Sequence, residues 1–529
     1  MNSETSGIAE YRPSLLARLI SFFSGTVGMI CKLVFLCILN GAVVWAILVM
    51  FAEDKLTWAV TTLIVLIAID FIYLVPHRYL PAKFMIPGSV FLVAYLIIPI
   101  GFTLNTAFQQ YSTGHVLTKS EAIKTNLQQN LLQEGRFFTM SVASDASGEW
   151  VLVLKDDSTG ETFIGRTSGL EPIPADSVDV DEAGAPVPPA GYTPVAKKDV
   201  AANEARLAAI VVPVDDVTSI RNEGFTTAAE FKPGLTYDDG SDMFVSTQDG
   251  TEYKANNRGS YVAADGTELS VGWRTYIGFT NFTSVINNPL VRAPFIRAFI
   301  WTVIFAASTV LISFFVGLFL AKTVNKKDLR FKRMYRAFMV VPYAIPGFLS
   351  LLVFRGLLNE DYGLINRILP GKIPWVFDPT WARVSVILVS VWLTAPYFFL
   401  VCTGALQAIP EDMVEAAKVD GANRWQVFQK VTMPMLLVVV TPLIIASFAY
   451  NFNNFNNIYL LTGGGPATND QSVAGATDIL ISYTYKLAFE SGKGQDYGLA
   501  SAISIYIFFI VAALSASGFM RSKALENMR

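Results

Sequence analysis

The sequence predicts an all-α polytopic membrane protein of eight transmembrane helices, with a mainly-β domain inserted between the third and the fourth. Three observations carry this. The chain is 52% hydrophobic and 16% charged, with mean hydropathy +0.43, whereas soluble domains run near 25% charged. Long apolar runs recur along it. One polar stretch, roughly residues 107–290, divides those runs into three and five.

A span needs about 20 apolar residues, since a helix rises 1.5 Å per residue through a hydrocarbon core of about 30 Å. Runs of that kind cover 33–51, 57–75, 86–106, 295–321, 335–357, 384–408, 433–460 and 498–519. Residues 12–31 are amphipathic, with Arg12 and Arg18 among Leu and Phe, and read as an interfacial helix ahead of the first span. The opening 30 residues show no short apolar core with a small-residue cleavage site. Eighteen Lys and Arg collect on one set of short segments, among them Arg78, Lys322, Lys327, Arg336, Lys418, Arg521 and Arg529, against six or seven on the other. The positive-inside rule then places both termini and residues 415–434 in the cytoplasm and the long insert outside.

The insert reads as one β-rich domain. Trp150–Leu154 and Thr162–Ile164 flank a polar turn at Asp156–Gly160, and Ile210–Val212 is another candidate strand. Asp249-Gly250 and Asp265-Gly266 suit tight hairpins. Residues 121–134 look helical, and 171–199, with six prolines, look extended or disordered. Nothing in the insert has metal-ligand spacing or a nucleophile beside a base, which favours a docking module over a passive cap.

Between the sixth and seventh runs lies Glu415-Ala416-Ala417-Lys418-Val419-Asp420-Gly421-Ala422, with Pro434 further on. Small residues allow close approach to a partner, Glu415 and Asp420 give it orientation, and Gly421 frees the backbone to reverse. On composition alone, an ordinary amphipathic loop helix fits equally well. In the seventh run, five asparagines fall within residues 450–457. Unsatisfied amides are costly in hydrocarbon, so such residues face a bundle interior or a wet cavity. Tyr450, Asn454 and Asn457 share a helical face at i, i+4, i+7. Amides and aromatic rings suit a neutral sugar, and the same residues also serve as interhelical glue, above all Asn456 and Asn457. Tyr343–Gly347 and Thr394–Tyr397 carry Pro or Gly breaks that mark a transport path or simple kinks. Asp70 reads as a snorkelling acid.

Catalysis has little raw material here. Cys31, Cys37 and Cys402 lie in or beside apolar runs, and His77 and His115 are the only histidines. No Gly-x-x-x-x-Gly-Lys-[Ser/Thr] loop is present, and Gly492-Lys493 is followed by Gly494. The chain reads as a non-enzyme. An ion-coupled secondary transporter would show paired intramembrane acids or inverted repeats, and Asp70 is the one candidate. A receptor would show a cytoplasmic signalling domain.

The Glu415–Ala422 pattern, with Phe428 and Pro434 at matching spacing, resembles the EAA loop of permeases in binding-protein-dependent ABC importers. The long insert, the run Thr462–Pro466 and the run Gly494–Leu499 narrow the resemblance to the maltose/maltodextrin branch, over nearly the whole chain. The resemblance implies a MetI-like permease core at 291–529 with an EAA coupling loop at 411–434, after an N-terminal region at 1–106 and an immunoglobulin-like periplasmic insert at 107–290. It implies a multi-pass protein of the bacterial inner membrane that contacts lipid and no nucleic acid. Its partners would be a MalG-like second permease, two copies of a MalK-like ATP-binding subunit and a MalE-like periplasmic sugar-binding protein. ATP and Mg would sit on the ATPase, leaving this chain without a cofactor or metal. Coupling would run through Glu415, Ala416, Ala417, Asp420, Gly421 and Ala422. Sugar contacts carried over from the family fall on Tyr343, Gly347, Ser390, Leu393, Thr394, Tyr397, Tyr450, Asn451 and Asn454. Four of these depart from the family's residue: Gly347 for serine, Ser390 for asparagine, Thr394 for glycine and Tyr450 for phenylalanine. A different oligosaccharide or α-glucoside therefore stays open as cargo.

Overall fold

The computed structural model describes residues 26–74, 80–129, 131–174, 178–181, 184–215, 218–326, 329–369, 371–468, 473–490 and 495–526. Residues 12–25 of the interfacial stretch, His77, Arg78, Lys327, Gly492–Gly494 and Arg529 lie outside the described residues. The chain divides into two units, Met1–Phe102 and Thr103–Arg529.

In the first unit, α1 (Thr26–Ala52) and α2 (Leu56–Leu74) form a helical hairpin. It turns through Asp54 in the left-handed region, with Lys55 N–H on the Met50 carbonyl at 2.9 Å. Asp70 does not snorkel alone. Its carboxylate accepts a hydrogen bond from Asn40 Nδ2 at 2.7 Å, from inside the neighbouring span. The third span, Pro81–Ala107, is built from α3 (Leu80–Leu92), a π-turn at Val93–Ile97 and α4 (Ile98–Ala107). The π-turn ends two residues before Pro99, which has no N–H for the next ordinary helical bond.

The insert begins with β1 (Gln109–Gln110) and α5 (Lys119–Gln129). The helix expected over 121–134 stops at Gln129, and Leu131 opens β2 (Leu131–Ser144), whose buried Phe138, Met140 and Val142 alternate at the period of a strand. After it come β3 (Trp150–Asp156), β4 (Thr162–Arg166), β5 (Gly169–Ile173), β6 (Thr193–Pro194), α6 (Lys197–Ala202), α7 (Glu204–Ala208), β7 (Val212–Pro213), β8 (Ser219–Asn222) and β9 (Thr227–Pro233). Only Val212 of the expected Ile210–Val212 strand enters the sheet. The sheet is antiparallel in the order β5-β4-β3-β2-β9-β8-β7, with β6 added to the end of β2. One face packs Phe138, Leu152 and Leu154 against Val200 of α6 and Leu207 of α7. The other packs Val151, Val153 and Ile164 against Val178 and Tyr192. The described part of the proline-rich segment is thus an extended strap, bonded through the Pro186 carbonyl to Ser141 Oγ at 2.5 Å. A second meander, β10 (Leu235–Asp238), β11 (Met243–Ser246), β12 (Glu252–Ala255) and β13 (Tyr261–Val262), turns at Asp249-Gly250 as expected. It packs Phe244 and Tyr261 with Trp273 and Ala122 of α5.

β14 (Thr275–Tyr276) returns to pair with β1 and closes the base of the insert. α8 (Thr280–Asn287) follows, and Asn281 Nδ2 donates to the carbonyls of Ala107 at 3.0 Å and Gln109 at 2.9 Å. The base is also joined to the start of the last span: Thr113 N–H reaches the Gln495 carbonyl at 2.8 Å, and the Tyr111 and Tyr497 rings lie 5.0 Å apart.

The helical core begins with α9 (Pro289–Val324), started by an Asn288 cap and Pro289. α10 (Lys332–Ala344) and α11 (Gly347–Leu357) form the fifth expected span, but they meet at a 91° bend around Ile345-Pro346. The short α12 (Leu364–Ile368) precedes α13 (Pro379–Gln407), capped by Asp378. α13 runs unbroken through Pro396, so Thr394–Tyr397 is not a break. α9 and α13 lie close together: a Cβ on Gly317 would fall 2.7 Å from the Phe398 Cβ. Buried Thr302, Thr309, Ser313, Ser385 and Ser390 keep these helices slim.

α14 (Glu411–Val419) and α15 (Arg424–Val427) precede a second π-turn at Phe428–Thr432, which again ends two residues before a proline, Pro434. α16 (Met433–Phe452) continues the same helix, and the expected span 433–460 ends at Phe452. Asn453 and Asn454 break it, and α17 (Phe455–Thr462), α18 (Leu480–Phe489) and α19 (Tyr497–Glu526) complete the core. Among the described residues, seven helices are long and apolar enough to cross a membrane, eight with the bent pair counted as one span.

Candidate functional site

The bend between α10 and α11 is the structural origin of a polar cavity within the helical core. Pro346 cannot donate a helical hydrogen bond, and Ile345 before it is extended, at ψ 134°. The chain therefore turns across the bundle instead of filling it. A cavity of about 500 Å³ opens between this bend, α13 and the broken end of α16.

Three elements line it. The bend contributes Pro342, Tyr343, Ile345 and Gly347; α13 contributes Leu393, Thr394 and Tyr397; α16 and α17 contribute Ala446, Ser447, Tyr450, Asn454 and Asn457. No acid, lysine, arginine or histidine is among these residues. Their polar groups are phenols, alcohols and amides, set among apolar walls. Such a site solvates a neutral molecule that carries hydroxyl groups and apolar faces, and it offers an ion no counter-charge.

Seven of the nine expected contacts meet here: Tyr343, Gly347, Leu393, Thr394, Tyr397, Tyr450 and Asn454. Ser390 and Asn451 do not line the cavity. Ser390 is 1% exposed and its hydroxyl is held by Asn457 Nδ2 at 2.9 Å. Asn451 is fully buried, its Nδ2 bonded back to the Ser447 carbonyl at 2.9 Å, and its Oδ1 has no partner among the described residues. Asn457, set apart in the sequence as glue, both lines the cavity and covers Ser390. The face shared by Tyr450, Asn454 and Asn457 does not come from one helix, because the chain breaks at Asn453. Asn454 instead caps α17, its Oδ1 accepting the Asn457 N–H at 3.3 Å. Ser447 lies one turn before Asn451 on the same face, a spacing that could have found it.

The Glu415–Ala422 segment forms a separate surface. α14 ends in a Schellman turn: Ala422 N–H bonds the Ala417 carbonyl and Gly421 N–H bonds that of Lys418, both at 3.0 Å. Gly421 has φ +83°, the left-handed conformation this turn requires. Asn423 and Gln426 then form a reciprocal capping box on α15. No α14 residue is buried; Glu415, Ala416, Asp420 and Gly421 are exposed, and Ala417 and Ala422 half-buried. Val419 is 87% and Trp425 66% exposed, an apolar surface that continues into the Phe428 ring, 5.7 Å from that of Trp425. The segment is nevertheless tied to the core, with Lys322 Nζ at the end of α9 lying 3.9 Å from the centre of the Phe428 ring. Beside it Asn325 gathers three helices: its Nδ2 donates to Thr403 Oγ1 of α13 at 2.9 Å, and its Oδ1 accepts from Arg336 of α10.

Residues 282–522 match the family model described as binding-protein-dependent transport system inner membrane component. Residues 90–168 match the N-terminal of TM subunit in PBP-dependent ABC transporters. The maltose/maltodextrin transport system permease protein MalF of Vibrio vulnificus (strain YJ016) is 35% identical over 519 residues, covering 95% of this chain and 94% of the relative. The protein of that description from Escherichia coli (strain K12) is 35% identical over 486 residues, covering 89% and 92%. Among solved structures, a bacterial ABC transporter that imports alginate aligns at TM-score 0.40 and 21% identity, over 47% of this chain and 84% of its own. The MetNI methionine ABC transporter aligns at 0.34 and 15%, over 45% and 99%. The chain belongs to the MalF family of ABC-importer permease subunits, multi-pass proteins of the inner membrane that do not themselves hydrolyse ATP.

Proposed function

We propose that this permease carries a neutral α-linked gluco-oligosaccharide of the maltose/maltodextrin class across the inner membrane by alternating access. The observation that carries the cargo is the cavity at the α10–α11 bend, lined by phenols, hydroxyls and amides without one formal charge. Rings of Tyr343, Tyr397 and Tyr450 stack on the apolar faces of a pyranose, while Asn454, Asn457 and Thr394 bond its hydroxyls. Asn451 and Ser390 form the wall behind them. Family membership and the names of the relatives support the same cargo. Gly347, Thr394 and Tyr450, three of the four departures from the family pattern, line the cavity, which favours a shifted pose or a different α-glucoside as the second reading.

In this reading the termini and the Glu415–Ala422 surface face the cytoplasm, supported by the Lys and Arg bias, and the insert faces the periplasm. A MalE-like binding protein docks there. A MalG-like permease completes the path, and two MalK-like subunits bind ATP and Mg. Closure of the ATPase pair pushes on α14, and the Phe428–Lys322 and Asn325 contacts pass the motion to α9, α10 and α13. The cavity then opens outward, and hydrolysis resets it.

The test is reconstitution of the complex in liposomes, with uptake of labelled maltotriose measured with and without ATP and binding protein. Uptake that needs both, and is lost with Glu415→Lys, is the expected result. Uptake driven by an ion gradient alone, with Glu415→Lys harmless, overturns the reading.

A further inference from the structure

A second groove of about 500 Å³ lies on the outside of the bundle, at the insert-side end of α9 and α13. Arg292, Arg297 and Arg383 head it, and no acidic residue lines it among the described residues. Below them Ile296, Ile300 and Ile304 run down one stripe of α9, 46%, 52% and 48% exposed. Spaced four apart, they continue the line begun by Arg292 and descend about 12 Å.

The arginines lie at the edge of the hydrocarbon. No charge occurs from Ala298 to Ala321 on α9 or from Val384 to Gln407 on α13, about 36 Å of helix in each case. That length just exceeds a hydrocarbon core of about 30 Å, so Arg297 and Arg383 stand at one headgroup level. Arg383 is fixed there by an Nε bond to the Ala476 carbonyl at 3.0 Å and by the Trp301 ring at 5.2 Å. Its terminal nitrogens have no protein partner among the described residues. Arg297 is braced on Thr468 Oγ1 at 3.2 Å. Arg292 is exposed, and its side chain makes no bond among the described residues.

We propose that this groove binds an anionic phospholipid of the insert-side leaflet, with its phosphate among Arg292, Arg297 and Arg383 and an acyl chain along Ile296, Ile300 and Ile304. Guanidinium groups bind phosphate oxygens in pairs, and each basic group at a membrane surface favours anionic lipid severalfold. A small soluble anion would use the arginines and leave the isoleucine stripe idle, whereas a two-part ligand uses both. The site is separate from the polar cavity and stands whatever the cargo is.

The complete transporter is reconstituted in nanodiscs of phosphatidylcholine and phosphatidylglycerol, extracted mildly, and its retained lipid counted by native mass spectrometry. Wild type should retain phosphatidylglycerol preferentially, and Arg292→Glu, a change at an exposed unbonded side chain, should cut that preference about fivefold or more. Ile300→Trp, which fills the stripe and leaves the charges alone, should lower retention as well. Equal retention of the two lipids, or an unchanged preference in Arg292→Glu, overturns the proposal. Displacement of the lipid by millimolar inorganic phosphate makes it a soluble-anion site and overturns it too. Complete disulfide capture of Ile300→Cys by cysteines placed on the second permease shows that protein covers the groove, and lipid binding there is then ruled out.

Discussion

Asn454 holds two positions at once, as helix cap and as cavity wall, and substitutions can separate them. Asn454→Ala removes the cap, worth about 1 kcal/mol, together with an amide that lines the cavity. Asn454→Ser restores the cap and not the reach. Uptake kinetics should show a five- to tenfold rise in the half-saturating maltotriose concentration for both variants, the scale of one lost hydrogen bond, with only the alanine variant also losing thermal stability. Asp156 gives a second residue-level expectation. Burial pushes its carboxyl up, but the Ser158 hydroxyl, the Arg136 guanidinium and the Ser158 and Thr159 N–H groups outweigh that and hold it at about 2. A folded value below the unfolded one of about 3.9 stabilises the insert above pH 4, and the benefit disappears as pH falls from about 4 to 2. It amounts to about 2 kcal/mol. Hydrogen exchange in β2–β4 of the full chain should accelerate across that window, and Asp156→Asn should flatten the dependence. At this scale the sequence was informative where chemistry singles out a side chain: Tyr450 and Asn454 were read from their own chemistry, whereas Tyr343 and Tyr397, which also line the cavity, came from the family resemblance. The position of Ser390 behind Asn457 was not legible, because which polar group stands in front of another depends on the Asn457 contact, and that depends on a break in the helix.

Elements were legible where one signal dominated. Apolar runs marked the spans, and Asp249-Gly250 marked its hairpin. Prolines acted differently from one helix to the next. Ile345-Pro346-Gly347 breaks the chain, whereas Pro396 is absorbed by α13, which packs along α9 and has only Ala395 before the proline to crowd it. Nothing local distinguishes the two without knowledge of those packing partners. The end at Phe452 was hidden because asparagines interrupt a span only when their amides are better used as caps than as rungs of a helix. α14 is the element whose ending bears most directly on the proposed coupling. At Gly421, a β-branched residue in the left-handed region costs about 1–2 kcal/mol, so Gly421→Val should unravel the Schellman turn and tilt α14. Co-purification of the ATPase should fall several-fold with Gly421→Val, while Gly421→Asn, which tolerates that conformation, stays near wild type.

Across the whole molecule, the insert is gripped at both its entry and its exit. β1–β14, the two Asn281 bonds and the Thr113–Gln495 contact join it to α4, α8 and α19. A tilt of the insert therefore bears on the last span. Asn281→Ala leaves two carbonyls without their donor, at about 2 kcal/mol. Basal ATP turnover of the assembled complex should be unchanged and stimulation by the binding protein reduced, as read by a coupled ATPase assay. That the insert exists was plain from length and polarity. That it is held so firmly was not, since the bonds join residues far apart in sequence, Asn281 to Ala107 and Thr113 to Gln495.

The absence of charge from the polar cavity has a consequence for ionic strength. Screening acts on charged partners and leaves bonds between amides and hydroxyls almost untouched. Raising salt from 0.05 to about 0.5 M should leave the half-saturating sugar concentration constant in proteoliposomes supplied with saturating binding protein. The maximal rate should fall if the proposed coupling surface is used, because Glu415, Lys418 and Asp420 on it are solvent-exposed charges. Salt thus titrates the motor and spares the cargo, which makes a simple buffer series a way to weigh one against the other in any variant.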